Sequence, residues 1–509
     1  MSACSTPPGS AAFVERLAAV LPGQPVRILE THISWVLLSG DFAYKIKKPL
    51  NLGFLDFGTL DKRRRACEDE VRLNRRLAPE IYLGVASIAG SPASPHLEGG
   101  GETIEYAVKM RRFAPEAAFD QLDAQGRLEA AQIEAVAARL ARFHLYDCAR
   151  AGDDDAWGSP DAIWRPVAQN LEQIAPHLDA SADRATLAAL RDWSVRTHAE
   201  LTPLMQARKR DGFVRECHGD LHLGNLAWVD GAPLIFDCIE FNAALRWIDI
   251  QSEVAFAFMD LMQRGHPDWA WLFLNVWLEH SGDYAGLALL GYYAVYRALV
   301  RSKIALLRAA QIDGAERDAA RSDAQAHLEL AAALTRPLPR WLQITHGFSG
   351  SGKTTVTRER MQSPGAIRLR SDVERKRMAG LDTQARSGST LGGGLYAADA
   401  THRTYARLAE LAGGALDAGW PVIVDATFTQ RRQRALLREV ARARGVPFRI
   451  LDLAAPRAVL RQRILARARA GTDASEADLA VLDHQIRDAE PLGADERREV
   501  LVQDDDSTG

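Results

Sequence analysis

Hydrophobic and polar positions alternate along the first part of the chain, and this period predicts β-strands. Between residues 26 and 110 the alternation appears in VRILE, WVLLSGDFAYKIK, YLGVASI and TIEYAVKM, with a turn signal at Ser39-Gly40-Asp41. One predicted helix, DKRRRACEDEVRLNRRLA, interrupts these strands, and GSPASPHLEGGGE predicts an exposed hairpin loop. The pattern therefore predicts a small sheet with one helix.

From residue 116 to residue 334 the apolar positions recur at helical spacing, with short predicted strands only around HGDLHLGNLAWV and APLIFDCIEF. RPLPR, residues 336–340, ends the helical pattern with its prolines, and we predict a domain boundary there. After it, the strands WLQIT, AIRLRSD, PVIVDAT and FRILDL alternate with helices. That alternation predicts a parallel sheet.

Composition and charge narrow the classes of function. A chain of 509 residues is longer than one hydrophobic core usually supports. A net charge of -3, from 63 basic and 66 acidic residues, gives no general attraction to nucleic acid or an anionic membrane. The 5 cysteines are scattered without a CxxC pair, which favours a reducing, cytoplasmic location. The longest apolar run, GLALLGYYAVYRALV, is too short to span a bilayer, so we expect no membrane segment.

The segment GFSGSGKT, residues 347–354, fits the phosphate-loop pattern G-x-x-x-x-G-K-[ST] and lies between a predicted strand and a predicted helix. Glycines let backbone N–H groups turn toward phosphate oxygens, the lysine adds positive charge, and the threonine is suited to Mg²⁺. We therefore predict that this loop binds ATP. The predicted contacts are Gly347, Ser349, Gly350, Ser351, Gly352, Lys353, Thr354 and Thr355.

Carboxylates follow two later strands of this region. Asp425, at the end of VIVDAT, is a candidate Mg²⁺ ligand, or alternatively a cap of the next helix. Asp372, in RLRSDVERKR, is a candidate base for a substrate hydroxyl, and Arg375 is suited to neutralising phosphate. The alternative for Asp372 is an N-cap of a helix that starts at Val373.

Arg463 and Arg467 lie one helical turn apart, as arginines of a lid over ATP would, although a solvated charged face explains them as well. The whole segment from about residue 341 to residue 490 resembles the small P-loop kinases, a group that includes gluconate kinase, zeta-toxin-like kinases and 5'-hydroxyl polynucleotide kinases. The SDVERK and DASEAD stretches are typical of predicted ATP-dependent kinases. The resemblance does not identify an acceptor.

The segment HGDLHLGN, residues 218–225, admits two interpretations. Histidines and an aspartate could begin a metal site, but no nearby Cys or His cluster completes the ligand set. The alternative is a phosphoryl-transfer loop, in which Asp220 accepts a hydroxyl proton, Asn225 holds Mg²⁺ and His218 braces the backbone. Asp237, in LIFDCIEF, then offers a further Mg²⁺ ligand. We favour the second interpretation.

A phosphoryl-transfer site of this kind also needs a lysine on an N-terminal strand and a helix carboxylate that holds it. Lys45 is the candidate in FAYKIKKP, and Lys47 on the same strand face is a rival. Glu70 shares an apolar helix face with Leu73 and Leu77, so it needs a partner. A surface glutamate paired with nearby arginines is the alternative.

These features occur in the chain order of the aminoglycoside phosphotransferase family, which the segment from about residue 27 to residue 334 resembles. The match is closest to predicted bacterial proteins that join such a domain to a P-loop kinase, with NLGFLDFGTLDKRR, FDCIEFN and LRWIDIQSEVAFAFMDL typical of them. ETHISW stands where a glycine-rich ATP-covering loop is expected, and Asp237-Cys238-Ile239 stands in place of DFG.

The resemblance implies an α+β protein-kinase-like domain followed by an α/β P-loop domain with a parallel sheet. The expected boundaries are 1–335 for the first domain, with an N-lobe at about 22–112 and a C-lobe at about 113–335, and 336–509 for the second. The expected activity is ATP- and Mg²⁺-dependent phosphorylation of hydroxyl groups on small molecules. The alternatives are a nucleotide-dependent regulator with a silent site and a kinase of nucleic acid ends, which the balanced charge disfavours. The sequence leaves both acceptors and the oligomeric state open.

Overall fold

The computed structural model describes residues 8–51, 55–382, 398–470 and 477–501. Contacts group the chain into two compact units, each drawn from separate segments. Unit 1 comprises residues 1–139, 143–166 and 202–257, and unit 2 comprises residues 140–142, 167–201 and 258–509. Helices of the predicted C-lobe, from residue 258 onward, therefore fall in the same unit as the P-loop region.

The elements are numbered in chain order. The strands are β1 (Arg27–Glu30), β2 (Ser34–Ser39), β3 (Phe42–Lys47), β4 (Tyr82–Ser91), β5 (Ser94–Leu97), β6 (Thr103–Arg111), β7 (Val214–Glu216), β8 (Leu226–Val229), β9 (Ala232–Ile235), β10 (Trp247–Asp249), β11 (Leu342–His346), β12 (Ile367–Arg370), β13 (Val422–Asp425) and β14 (Phe448–Asp452). The helices are α1 (Ala11–Val20), α2 (Leu60–Asn74), α3 (Phe119–Ala124), α4 (Ala130–Arg142), α5 (Pro160–Ile174), α6 (Ser181–Arg210), α7 (Ile250–Gln263), α8 (Pro267–Ser281), α9 (Leu287–Ala309), α10 (Gly314–Leu334), α11 (Lys353–Arg360), α12 (Ser371–Met378), α13 (Ala398–Asp417), α14 (Arg431–Ala443), α15 (Arg457–Ala470) and α16 (Leu479–Asp488).

The main sheet of unit 1 is antiparallel, and its described strands are ordered β1-β2-β3-β6-β4-β5. The predicted turn between β2 and β3 is confirmed, and Gly40 there has a φ of 54°, which glycine adopts without strain. The prediction of an open loop at GSPASPHLEGGGE is wrong in part. Residues 94–97 form β5, which pairs with β4, and only Pro92 and Ala93 lie between the two strands. Pro95 is tolerated in β5 because this strand lies at the edge of the described sheet.

Apolar residues on both faces of this sheet give unit 1 its core. Helix α1 buries Phe13 and Leu17 against Leu37 and Ile46 of the sheet. Helix α2 buries Val71 on the other side of the sheet. Strands β7 and β10 form one short antiparallel pair, and β8 and β9 form another. These short pairs hold the HGDLHLGN segment and the FDCIEF segment next to each other.

Unit 2 contains the parallel sheet, whose described strands are ordered β12-β13-β11-β14. The strands are almost continuously buried, as expected of a parallel sheet covered by helices. The central strand β11 is the point at which the strand order reverses, and ligands of such sheets bind beyond the carboxyl ends of the strands there. The loop after β11 is the predicted phosphate loop.

The predicted fold class is confirmed by these arrangements. An antiparallel sheet with helix α2 precedes a largely helical region, and a parallel α/β sheet follows, which is the order of a kinase-like fold and a P-loop fold. Among the residues that the structure describes, we find no helix with the length and apolar character needed to cross a bilayer.

Candidate active sites

The phosphate loop of unit 2 is a tight turn between β11 and α11 that only glycine fits at key positions. Gly347 and Gly350 have φ values of 151° and 84°. A Cβ would lie 2.5 Å from the Leu453 carbonyl oxygen at the first and 2.9 Å from the Leu460 carbonyl oxygen at the second. The Lys353 ammonium donates to the carbonyls of Gly347 and Phe348, at 3.1 and 2.7 Å. The backbone is therefore shaped to receive phosphate oxygens.

The loop opens into a cavity of about 640 Å³. Most of the residues predicted for this site line it, namely Ser349, Gly350, Gly352, Lys353, Thr354, Thr355, Asp372, Arg375, Asp425 and Arg463. Gly347 and Ser351 belong to the loop but are not among the lining residues. The structure thus gathers residues from four elements and their loops around one space, and that space lies at the strand-order reversal.

Asp425 ends β13, the strand next to β11, so it lies beside the phosphate loop. Its carboxylate is buried and accepts a hydrogen bond from the Thr357 hydroxyl at 3.1 Å. The helix-cap alternative is wrong, because the next helix begins at Arg431 with Gln430 as its N-cap. The Asp425 carboxylate and the Thr354 hydroxyl, which belong to residues lining one cavity, are the hard oxygen ligands that Mg²⁺ prefers, so the residues fit this ion.

Asp372 does not end a strand, as the sequence suggested, because β12 stops at Arg370 and α12 begins at Ser371. Asp372 lies in the first turn of α12, and the N-cap alternative is also wrong, since the N-cap position is Arg370. Both Asp372 and Arg375 are half-buried and line the cavity. Asp372 therefore borders the same cavity as the phosphate loop.

The predicted lid arginines lie on α15. The Arg463 guanidinium donates to the Gly350 carbonyl at 3.3 Å and lines the cavity. The side chain of Arg467 lies outside the described residues. Arg463 is therefore placed against the loop rather than on a purely solvated face.

Two polar residues of this cavity were missed from the sequence. The Gln485 amide accepts from the Ser349 N–H at 2.9 Å and donates to its hydroxyl at 3.0 Å. The Tyr405 hydroxyl lies 3.2 Å from the Thr427 hydroxyl and accepts from the Phe428 N–H at 3.3 Å. Neither belongs to a recognisable motif, so only the fold could reveal them.

In unit 1 the predicted lysine and helix carboxylate meet. The Lys45 ammonium lies 2.9 Å from a Glu70 oxygen and 2.6 Å from an Asp237 oxygen. Burial lowers the pKa of Lys45, but the charges of Asp237 and Glu70 outweigh it and raise that pKa well above its ordinary value. Burial likewise opposes ionisation of Asp237, but Lys45 keeps the pKa of that carboxyl below its ordinary value. The lysine stays charged and both carboxylates stay ionised.

Lys47 occupies a different position from its rival. Its ammonium is fully buried between Glu70 and Glu240, and it forms ion pairs with both. The side chain of Lys45 is 13% exposed and contacts Asp237, whereas that of Lys47 is 0% exposed. Glu240 was missed from the sequence, and its spacing from Asp237 in FDCIEF was the available signal. The alternative of a surface Glu70 is wrong, because its side chain is fully buried.

We expect Lys47→Met to destabilise unit 1 by about 3–5 kcal/mol, because it leaves Glu70 and Glu240 buried with less compensating charge. Lys62→Met is the matched control. The pair of Lys62 with Asp56 is solvent-exposed, so its removal should leave the urea midpoint close to that of the wild type. Urea denaturation of the full chain measures both, and equal midpoints for the two variants would contradict the buried network.

The HGDLHLGN segment forms a braced loop. The His218 ring accepts from the Asp220 N–H at 3.2 Å and lies 2.7 Å from the Phe236 carbonyl oxygen. Burial lowers the pKa of His218, so the neutral ring fits these backbone partners. Both ring nitrogens are engaged, which contradicts the metal-site interpretation for this histidine. The predicted bracing role is confirmed.

In unit 1, Asp220 contacts Asn225 and lies close enough to Asp237 for their charges to interact. The Asn225 amide nitrogen donates to the Asp220 carbonyl and carboxylate, at 2.8 and 3.1 Å. Its amide oxygen and the half-exposed Asp237 carboxylate are oxygen donors, so these residues fit Mg²⁺. The backbone of Asp237 has a φ of 63°, a strained conformation fixed by a hydrogen bond from its N–H to the Tyr82 hydroxyl at 3.1 Å. Strain of this kind often marks a functional position.

The connection expected to cover ATP contains no glycine. Thr31 and Ser34 close the hairpin between β1 and β2, with the Thr31 N–H donating to the Ser34 carbonyl at 2.9 Å. The ETHISW segment therefore occupies the position of the missing glycine-rich loop.

A buried group behind the loop was also missed. His144, Cys217 and Glu253 are close enough to hold a metal ion, and no other described residues form such a group. Hydrogen bonds explain why these residues lie together. The His144 ring lies 2.8 Å from one Glu253 oxygen, and the other Glu253 oxygen accepts from the Gly219 N–H at 2.6 Å. Glu253 thus ties the loop to the turn after α4.

The pair of His144 and Glu253 should make the free energy of unfolding depend on pH. Burial lowers the pKa of His144, but hydrogen bonds with Cys217 and Glu253 raise it to about 9. A raised histidine pKa stabilises the fold fully below about pH 6.5, and the effect is lost as the pH rises through about 9. We expect His144→Gln to cost about 3 kcal/mol at pH 6 and progressively less toward pH 9. Thermal unfolding across this range measures the difference, and a constant difference would contradict the charged pair.

Comparison with known proteins gives one family match and several similar solved structures. A family model described as an AAA domain matches residues 342–492, which contain the phosphate loop, Asp372, Asp425 and Arg463. Among solved structures, choline kinase from Cryptosporidium parvum is 11% identical with a TM-score of 0.39, covering 61% of this chain and 89% of that chain. The ADP-bound aminoglycoside phosphotransferase APH(2'')-Ib is 12% identical with a TM-score of 0.32, covering 64% and 99%. A gluconokinase from Sinorhizobium meliloti is 22% identical with a TM-score of 0.24, covering 33% and 82%.

Relatives align along almost the entire length. The uncharacterized protein Rv2004c of Mycobacterium tuberculosis is 30% identical over 457 residues, which are 90% of this chain and 89% of the relative. The uncharacterized protein Mb2027c of Mycobacterium bovis gives the same values. The alignment spans both the kinase-like region and the P-loop region. The chain therefore belongs to the protein family of Rv2004c.

Proposed function

We propose that this protein is a phosphotransferase with two nucleotide sites, each of which transfers the γ-phosphoryl group of ATP to a hydroxyl group of a small molecule. The observation that carries the proposal is the unit 2 cavity, where Lys353, Asp425 and Asp372 line one space at the end of the central strand. A phosphate-binding lysine, a metal-binding carboxylate and a candidate base are the parts that phosphoryl transfer needs.

In the unit 2 site the backbone of the phosphate loop and Lys353 hold the phosphates. Thr354 and Asp425 would hold Mg²⁺, which neutralises charge on the phosphoryl oxygens. Asp372 accepts the proton of the acceptor hydroxyl, and Arg375 and Arg463 offset negative charge from either side of the cavity. Catalysis of this kind depends on positioning and charge neutralisation.

In the unit 1 site Lys45 holds the ATP phosphates and Glu70 fixes the lysine. Lys45 contacts Asp237 and is partly exposed, whereas Lys47 is fully buried, so we assign the phosphate-binding role to Lys45. Asn225 and Asp237 would hold Mg²⁺. Asp220 orients and deprotonates the acceptor hydroxyl, and His218 keeps the loop in shape.

The acceptor in unit 2 is proposed to be a small polar molecule. A volume of about 640 Å³ lies within the range of small-molecule sites, and polar side chains supply much of the lining. The domain boundary at residue 336 and a cytoplasmic location are part of the same proposal. The free thiols of Cys67, Cys148, Cys217 and Cys238 support a reducing compartment.

The proposal is tested by incubating the full-length protein with Mg-ATP and a metabolite extract, and by following new phosphorylated masses together with ADP. We expect at least one product whose mass exceeds that of its precursor by one phosphoryl group. A folded protein that yields no product, with a broad library of hydroxyl compounds as well as the extract, would exclude a small-molecule kinase. Phosphorylation of 5'-hydroxyl oligonucleotides in place of metabolites would instead indicate a nucleic-acid-end kinase.

A second candidate for unit 1 is a nucleotide-dependent regulator that does not transfer phosphate. Two observations favour it: the hairpin without glycine and the direct contact between Lys45 and Asp237, which links the phosphate-binding and metal-binding groups. ATP binding that orders unit 1 without any acceptor-dependent turnover would support the regulator. A product that requires Asp220 would exclude it.

A further inference from the structure

Helix α8 presents one face to the edge of the parallel sheet within unit 2. Trp271, Asn275 and Glu279 follow one another at steps of four residues, so they lie on the same side of the helix. All three are buried, and all three contact the segment that contains β12. Helix α8 lies outside residues 342–492, the segment that matches the AAA domain.

Asn275 pairs with the backbone of the sheet edge. Its amide nitrogen donates to the Ala366 carbonyl at 2.9 Å, and its amide oxygen accepts from the Arg368 N–H at 2.6 Å. In this role the side chain replaces a neighbouring strand along β12, the edge strand of the described sheet. Trp271 packs so closely that a Cβ on Gly365 would lie 2.2 Å from its indole nitrogen. The helix is therefore fitted to this edge.

Glu279 holds two arginines of β12. One of its oxygens accepts two hydrogen bonds from the Arg368 guanidinium, at 3.1 and 2.7 Å, and the other lies 3.3 Å from Arg370. Burial opposes ionisation of Glu279, but the charges of Arg368 and Arg370 keep the pKa of its carboxyl below the ordinary value. The carboxylate and both guanidinium groups are therefore charged together.

The arginines connect Glu279 to the phosphate site. Arg368 also donates to the Thr354 carbonyl at 3.4 Å, and Thr354 stands in the first turn after the phosphate loop. Arg370 lines the cavity. At the end of α8, Arg377 donates to the Glu279 carbonyl at 2.5 Å, which fixes the helix terminus to α12, the helix of Asp372. The Glu279 carboxylate thus reaches Thr354 and the cavity wall through two arginines, and its backbone carbonyl holds the helix of Asp372.

We infer that Glu279 is a positioning residue of the unit 2 nucleotide site, and that α8 is part of the machinery of that site. The inference rests on the proposed function of the site. Glu279 positions Thr354 through Arg368. Through Arg370, Glu279 positions positive charge on the cavity wall. The P-loop region of this protein would therefore depend on a helix from the preceding, kinase-like part of the sequence.

The test uses the full-length chain and measures amide hydrogen exchange in the peptide that contains residues 347–358. Exchange in this peptide reports on unit 2 alone. Mg²⁺ is titrated at fixed ATP, and protection of the peptide is followed in the wild type, Glu279→Gln and Glu329→Gln. We expect Glu279→Gln to raise the half-saturating Mg²⁺ concentration about five- to tenfold, a change within the net contribution of one intramolecular hydrogen bond. Glu329, an exposed carboxylate on α10, is the matched control and should leave the value unchanged.

A loss of folded protein alone would lower the amplitude of protection without moving the Mg²⁺ midpoint. An unchanged midpoint in Glu279→Gln would overturn the inference. Exchange without nucleotide gives an independent reading: the first turns of α11 should exchange faster in Glu279→Gln, while α13 exchanges as in the wild type. If the wild-type peptide gains no protection from Mg-ATP, the proposed function of the site fails. In that case, equal nucleotide-free exchange in the wild type and Glu279→Gln would overturn the positioning role as well.

Discussion

Asp220→Asn is expected to lower phosphoryl transfer at the unit 1 site by about 10²–10⁴-fold, the usual contribution of a positioned general base. The substitution preserves the shape of the side chain, and the Asn225 amide can still donate to the Asp220 backbone carbonyl, so the loop should keep its form. The KM for ATP should stay close to the wild-type value, because the phosphates are assigned to Lys45. The measurement is the initial rate of product formation in Mg-ATP with the metabolite extract.

Asp230→Asn is the matched control for this variant. Asp230 is an exposed carboxylate at the turn between β8 and β9, with a φ of 51°, a conformation that asparagine also tolerates. It should leave every product rate unchanged. A unit 1 product formed by Asp220→Asn at the wild-type rate would show that Asp220 is not the base, and would give weight to the regulator.

Lys353→Met is expected to lower turnover at the unit 2 site by about 10²–10³-fold, the range for removing one preorganised group that stabilises transition-state charge. The lysine is held by the carbonyls of Gly347 and Phe348, so its charge is placed before nucleotide binds and needs no rearrangement. Methionine keeps the length of the side chain but donates no hydrogen bond. Products of unit 1 should be unaffected.

The matched control removes a positive charge elsewhere in unit 2. Arg497→Met changes an exposed residue that does not line the cavity, so it should retain all products. The two sites are read separately by comparing product masses in Asp220→Asn and Lys353→Met. A product lost in only one variant belongs to that site, whereas a product lost in both would indicate consecutive reactions. Full turnover by Lys353→Met would contradict the assigned role of the phosphate loop.

The involvement of α8 in unit 2 bears on where the chain divides. The prolines of RPLPR predict a boundary at residue 336, yet Asn275 and Glu279 bind the sheet edge from the preceding region. The domain boundary predicted from the sequence therefore differs from the division of the folded chain into two compact units. Experiments on the phosphate site should keep α8 in the protein.

Elements and motifs whose signals are local could be predicted from the amino-acid sequence. Strand alternation predicted β2, β3 and the turn between them, because side chains of a strand alternate between two faces. The spacing of glycines, lysine and threonine predicted the phosphate loop, because one short turn must supply all of its donors. HGDLHLGN predicted a braced loop in the same way, since His218, Asp220 and Asn225 satisfy one another within eight residues.

Contacts between residues far apart in the chain became known only from the folded structure. Lys45 and Lys47 are equivalent in sequence, and only their contacts with Asp237 and Glu240, which lie 192 and 193 residues further along the chain, separate their environments. Gln485 reaches Ser349 across 136 residues, and Asn275 reaches Ala366 across 91. No local propensity encodes such pairs, because their free energy arises from burial and hydrogen bonding between elements that approach only when the chain has folded.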